Sequence, residues 1–326
     1  MSISHVTYDL ASGGGRLGHR AKSLLSSIIL AKITGSDIVY NCSYHEKRPL
    51  CVFNEKTLSQ FINESLHCDD YNIVIEEPFK GKWNGIGEQK TAQIKKRVEG
   101  SRGANDKTIY IARGGARIFP HQCKDMEEKG ICRKGIADES VDLLKEMYYY
   151  QYPGDLIKNT FAIHARRGDV CGIMKGIGYT TEYYKNLIHK INTVSSEVGF
   201  TPVINIYTER RGSGYITPLE KLDNTNVHVG TEENLHQHLS EMVRSEYIYC
   251  SWSSLCWLAC TLTVGSVLYD YHIIPEDGKH NLKRHDVDKI NHYAPTDKDI
   301  LFQGEGLVET LHNNRKTDAS NGLPRI

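Results

Sequence analysis

Between residues 160 and 269 the chain alternates short apolar runs with helical apolar stripes, and few architectures accept that rhythm. Runs at 160–164, 202–207, 228–229, 247–250 and 266–269 have the length and composition of strands. Between them, residues 181–194 put Tyr184, Leu187, Ile188 and Ile191 on one helical face, and 253–262 reads as a second helix. A third helix carries Leu235, Leu239, Met242 and Val243. Thr231 is its expected N-cap, and Glu232 and Glu233 fall in its first turn. Strands joined through helices cannot pair as hairpins. The crossover makes neighbours parallel, which predicts a doubly wound α/β domain.

The N-terminal half repeats the theme less regularly. A strand around Val6 and Tyr8 is broken by Ser12-Gly13-Gly14-Gly15. Residues 16–34 then carry Leu24, Leu25, Ile28, Ile29, Ala31 and Ile33 at helical spacing, Gly35-Ser36-Asp37 stops that helix, and Ile38-Val39-Tyr40 forms the next strand. Further on, residues 57–66 read as helix, 72–75 and 108–112 as strands, 81–102 as loop and 137–150 as helix. The turn cluster Tyr152-Pro153-Gly154-Asp155 marks a junction. The expected organisation is a domain over 1–155, a second over 156–275, and a polar tail over 276–326 that packs back or is partly disordered. Two such α/β regions are consistent with Rossmann-like domains facing across a cleft.

Charge and apolar content exclude several classes. Lys and Arg total 40, as do Asp and Glu, so no global field draws the chain to nucleic acid. With 39% hydrophobic residues the bulk of the chain is not disordered. No run approaches the ~20 apolar residues of a membrane span, and the N-terminus lacks the pattern of a secretory signal. Nine cysteines include no C-x-x-C pair, which points to reduced thiols in a cytoplasmic protein, with peripheral membrane association still open. The alternative is a loop closed by Cys123 and Cys132 in an oxidising compartment. His236 and His238 stand at i, i+2 on a helix, and the histidines outside the motifs described next show no spacing that suggests a metal. No metal is expected.

Four segments carry chemistry. His164-Ala165-Arg166-Arg167-Gly168-Asp169 follows an apolar strand directly, so a guanidinium projects from the carboxyl end of a parallel sheet, where open α/β sheets bind ligands. A guanidinium there binds phosphate oxygens bidentately and stays charged, while Asp169 can orient it or accept from a sugar hydroxyl. Ser251-Trp252-Ser253-Ser254 follows another strand and opens a helix, either as a second anion site or with Ser253 as a plain N-cap. Thr208-Glu209 ends a third strand; Glu209 accepts from a base or sugar, or pairs with an arginine. Gly13-x-Gly15-x-x-Gly18 formally matches a dinucleotide fingerprint, but no acidic residue ends the following strand, since Asp37 precedes it. Arg16, His19 and Arg20 cluster there without a structural need, which favours a loop lining a substrate cleft.

In order and spacing these segments resemble the GDP-fucose-dependent fucosyltransferase superfamily (α1,2-, α1,6- and protein O-fucosyltransferases). Gly14-Gly15-Arg16-Leu17-Gly18-His19-Arg20 is similar to that family's G-G-x-x-G-N-Q segment, with His19 and Arg20 in place of Asn and Gln. His164–Asp169 is similar to its H-x-R-R-x-D motif, and Ser251-Trp252-Ser253-Ser254-Leu255-Cys256-Trp257-Leu258-Ala259 to its S-x-S-S-x-x-W-x-A segment. The resemblance implies a GT-B fold and an inverting, metal-independent glycosyltransferase with no cofactor. Its partners would be a nucleotide-sugar donor, GDP-fucose above all, and a glycan acceptor. Arg166 or Arg167 would neutralise the departing diphosphate. Apart from the resemblance, His19 at a helix N-terminus, where the dipole disfavours the imidazolium, is a candidate base; the alternatives are Glu182, Glu209 or a transition state that needs no strong base. Gly14, Gly15, Arg16, Gly18, His164, Asp169, Thr208, Glu209, Ser251, Ser253 and Ser254 would contact or support the substrates. The rival readings are an NAD(P)-dependent oxidoreductase built on the Gly13–Gly18 loop and a binding module without turnover.

Overall fold

A computed structural model describes residues 2–8, 17–38, 53–62, 72–76, 91–93, 95–96, 107–112, 118, 120–165, 181–209, 213–231, 233–249, 253–269, 299–301 and 311. The chain divides into two units, Met1–Pro153 and Gly154–Ile326. Both are α/β, and every strand pairing in each is parallel.

The first unit holds a four-stranded sheet in the order β2-β1-β4-β3. Its strands are β1 (Ser2–Tyr8), β2 (Asp37–Ile38), β3 (Asn72–Glu76) and β4 (Lys107–Ala112), accompanied by helices α1 (Leu17–Thr34), α2 (Glu55–Phe61), α3 (Pro120–Glu128) and α4 (Ile136–Gln151). Helix α1 is buried on nearly every side because it lies on β1 and is covered by α3 and α4. Its hydroxyl groups are satisfied within the helix or by a neighbour: Ser27 donates to the Ser23 carbonyl, Thr34 to the Leu30 carbonyl, and Ser26 Oγ accepts from the Ile118 N–H at 2.6 Å. Gly35 ends it in the left-handed region, φ 64°, and the Ser36 N–H reaches back to the Ala31 carbonyl at 2.9 Å. That is a Schellman closure, which favours glycine at this position.

The second unit is a six-stranded sheet in the order β10-β9-β8-β5-β6-β7. The strands are β5 (Ile157–Ala165), β6 (Val203–Glu209), β7 (Thr225–Gly230), β8 (Ser245–Tyr249), β9 (Ser266–Tyr269) and β10 (Asp299–Leu301). The helices are α5 (Thr181–Val198), α6 (Ser213–Glu220), α7 (Leu235–Arg244) and α8 (Ser254–Leu262). One core packs Phe161, Ile163, Ile204, Ile206 and Tyr247 against Tyr184, Leu187, Ile188 and Ile191 of α5. Phe161 and Tyr247 stack at 4.5 Å on adjacent strands. The helices α7 and α8 pack on each other, and α7 contacts β5, β7 and β8.

At the amino edge of this sheet β5 carries an irregularity between Ile157 and Phe161, where Asn159 takes φ 62°. Glu246, buried, stabilises it: Asn159 N–H donates to Glu246 Oε2, and the Glu246 N–H donates to Thr160 Oγ1 at 3.1 Å.

Several expected elements move. The helix after β7 starts at Leu235 with Asn234 as N-cap, not at Thr231, and has no acidic residue in its first turn. Thr231 and Asn234 bond each other instead, Thr231 N–H to Asn234 Oδ1 at 2.7 Å and Asn234 N–H to Thr231 Oγ1 at 3.4 Å. Side chains that bond the backbone locally hold it out of the helix. Helices α3 and α6 were not expected, and β10 comes from the segment read as a polar tail. The expected strand residues Val39 and Tyr40 lie outside the described residues, as does most of 81–102. Cys123 and Cys132 are both buried thiols, and Cys132 Sγ lies 4.0 Å from the Cys123 carbonyl. No helix among the described residues is long and apolar enough to cross a membrane.

Candidate functional site

The order of the second sheet fixes where its ligand edge lies. From β5 the chain winds outward through β6 and β7, then returns through α7 to β8 on the other side of β5 and winds out through β9 and β10. The direction therefore reverses between β5 and β8. In open α/β sheets the crevice at such a reversal, beyond the carboxyl ends, is where ligands sit. Parallel pairing sets Ile163 beside Tyr249, so β5 and β8 run out at one place. The chain leaving β5 after Ala165 is Arg166-Arg167-Gly168-Asp169, and that leaving β8 after Tyr249 is Cys250-Ser251-Trp252-Ser253. Two motifs far apart in sequence thus emerge from one switch point. Arg166, Arg167, Asp169 and Ser251 themselves lie outside the described residues.

The described residues around this switch point are held by specific contacts. Thr208, buried on β6, donates from Oγ1 to the Ala165 carbonyl at 2.8 Å, fastening the last residue before the arginines. Ser253 is the N-cap of α8, its Oγ accepting from the Leu255 N–H at 3.3 Å. The capping alternative is therefore met, while the amino end of α8 still stands at the sheet's carboxyl edge, where the helix dipole favours an anion. Ser254 begins the helix, half-buried. Cys256 Sγ donates to the Tyr249 carbonyl at 3.6 Å, and the Tyr249 and Tyr183 hydroxyls meet, so the end of β8 is held by both α8 and α5. Glu209 ends β6, and its side chain lies outside the described residues. His164 does not stand in the loop. It is a buried residue of β5, paired with Tyr207 of β6 and within electrostatic range of His238.

The first unit has its own reversal, between β1 and β4, where Tyr8 pairs with Ala112. The glycine segment leaves β1 there. Gly14, Gly15 and Arg16 lie outside the described residues, whereas Gly18 is buried in the first turn of α1 and His19 beside it is half-buried. Asp37 begins β2, and the chain after Ile38 lies outside the described residues.

A group of residues beside this edge escaped the sequence reading. His228 of β7, with His238 and Glu241 of α7, offers three ligand atoms all within 4.8 Å of one another. His238 and Glu241 stand at i, i+3, one turn apart on one face, which corrects the expectation that the histidines outside the motifs show no metal-like spacing. Burial holds His238 below the usual histidine range, with Glu241 opposing and His228 and His164 assisting, so the imidazole is biased toward its neutral form. Burial, then the Glu241 carboxylate, push the Tyr207 hydroxyl up.

No protein-family model matches the chain, and no curated protein matches its sequence. Among solved structures the chain is similar to POFUT1 in complex with GDP, with a TM-score of 0.47 and 10% identity, covering 82% of this chain and 98% of that one. POFUT1 in complex with GDP-fucose gives a TM-score of 0.40 at the same identity and coverage. The E. coli heptosyltransferase WaaC with ADP gives 0.40 at 10% identity, covering 97% of this chain and 99% of that one. The α/β assignment rests on the strand order above.

Proposed function

We propose that the chain is a glycosyltransferase, inverting and metal-independent, that transfers L-fucose from GDP-fucose to a glycan hydroxyl. One observation supports the reading: the strand order sets the end of β5, after which Arg166-Arg167 follow in sequence, beside the end of β8, which leads into α8. Cleaving the anomeric C–O bond leaves positive charge on the sugar and negative charge on the departing diphosphate. Fixed positive groups aimed at that charge lower the barrier. Arg166 or Arg167 supplies the guanidinium, and the amino end of α8 with Ser251, Ser253 and Ser254 faces it. Thr208 acts as a positioning residue through Ala165, and His164, buried in the same strand, helps hold its end against β6. Asp169 and Glu209 orient the arginines or accept from donor hydroxyls. In the first unit, Gly14, Gly15, Arg16 and Gly18 form the acceptor-side loop, and His19 takes the acceptor hydroxyl proton.

A thermal-shift panel with GDP, UDP, CDP, NAD and NADP tests the reading. A ligand at a hundredfold excess over its Kd stabilises the folded chain by about 2.7 kcal/mol. GDP should give the largest rise, unchanged by a chelator. A larger rise with NAD or NADP would overturn the proposal in favour of an oxidoreductase. GDP binding without release of GDP from GDP-fucose would reduce it to a binding module.

A further inference from the structure

Beyond His164 the second sheet carries a row of nitrogen and oxygen donors that the transfer reaction does not use. His164 pairs with Tyr207 and Tyr207 with His228 across β5, β6 and β7. Directly paired positions on parallel strands project to one face. The Tyr207 and His228 rings stack there at 4.9 Å, with the His238 ring set edgewise, 5.3 Å from Tyr207 and 5.9 Å from His228. Helix α7 thus lays His238 and Glu241 onto this row.

Two of the donors are oriented by their neighbours. Asn205 Oδ1 accepts from Asn226 Nδ2 at 3.2 Å and lies 3.1 Å from His228 Nε2. An oxygen that only accepts puts the ring hydrogen on Nε2 and leaves the lone pair of His228 on Nδ1. Glu241 Oε1 accepts from Gln237 Nε2 at 2.8 Å. Its other oxygen, Oε2, is buried with no hydrogen-bond partner of normal geometry, and the Tyr207 hydroxyl interacts with the carboxylate by charge and hydrogen bonding. An orphaned carboxylate oxygen in the interior is costly. A cation between it and two imidazoles removes that cost.

We propose that His228, His238 and Glu241 bind a divalent transition-metal ion of the zinc type, which staples α7 to the outer strands of the second sheet. Two imidazoles and one carboxylate are a donor set that zinc accepts, with the fourth position left to water or the Tyr207 hydroxyl. Donors around a tetrahedral ion with bonds of about 2.0–2.1 Å stand about 3.4 Å apart. The present separations, up to 4.8 Å, close by side-chain rotation. The ion would sit about two strand spacings, roughly 10 Å, from the β5–β8 crevice. It is therefore a site apart from the diphosphate, and GDP binding to the metal-stripped chain, measured separately, keeps the two proposals distinguishable.

The test uses the full chain, stripped with a chelator and titrated with Zn²⁺ alone, then with Co²⁺ for its visible spectrum. One Zn²⁺ should bind per chain and raise the melting temperature, and Co²⁺ should show the intense bands of a tetrahedral nitrogen–oxygen site. His228→Asn and Glu241→Gln should each weaken Zn²⁺ binding by roughly 100-fold or more and abolish those bands. Asn205→Ala, which only frees the tautomer, should weaken it about tenfold. His228 is half-buried, so His228→Asn reports even if the Glu241 variant fails to fold. A stripped chain that takes up no Zn²⁺ overturns the proposal. So does Zn²⁺ bound as tightly by both variants as by the parent, or Co²⁺ bands of a thiolate site.

Discussion

Thr208 shows how a single hydroxyl links packing to chemistry, because its partner is the carbonyl of the residue that precedes Arg166. Thr208→Val keeps the shape and removes the donor. It should cost about 1 kcal/mol of stability and weaken GDP severalfold, read by denaturant titration and calorimetry. A different residue illustrates how little exposed charge contributes. Glu139 accepts from Arg133 and Lys32, and these hydrogen bonds hold its carboxyl down at about 2. A folded-state value below the unfolded one means the contribution is present above about 4.5 and is lost as pH falls toward about 2. The group is solvated, so the effect is small and screened by salt. The Glu139→Gln melting temperature should fall slightly below the parent's at neutral pH, and the gap should close on acidification or in high salt. At this scale the sequence was readable for Ser253, whose capping role follows from its place before an apolar helix. It was not readable for His228, which meets His238 and Glu241 only through the sheet register, although the i, i+3 pair on α7 was visible.

Among elements, the strands and helices with strong apolar periodicity were legible: α5 begins at Thr181 and α4 spans the expected 137–150. Where the structure departs from expectation, local side-chain bonding or tertiary packing decided. Thr231 and Asn234 bond each other and delay α7, while α6, which contains Pro218, has no clean helical pattern of its own. Strand β10 is three residues long, and its place comes from pairing with β9, which no local pattern announces. The β5 irregularity depends on one carboxylate. Glu246→Ala would strip the half-buried Asn159 N–H of this acceptor and should destabilise the chain by about 1 kcal/mol. Because Glu246 sits at the amino edge, opposite the switch point, GDP affinity in the folded variant should equal the parent's. A variant that loses GDP in proportion to its stability would show that the two edges are coupled.

For the whole molecule, the alternation of strand and helix was enough to give parallel α/β sheets, since no hairpin can join such strands. Strand order was not legible. That β8 returns beside β5, and not beside β7, is a property of the three-dimensional wind, and it is what sets the end of β5 beside the end of β8. The proposed function therefore stands on the role assigned to Arg166 and Arg167, which follow β5 in sequence. Calorimetric titration of GDP into the parent, Arg166→Ala and Arg167→Ala, all with a chelator present, tests it most directly. Loss of a charged hydrogen bond is worth about 1.5–3 kcal/mol, so at least one variant should bind GDP roughly ten- to hundredfold more weakly while melting like the parent. Parent-like GDP affinity in both variants, or GDP binding by the parent only when a divalent cation is restored, would contradict it.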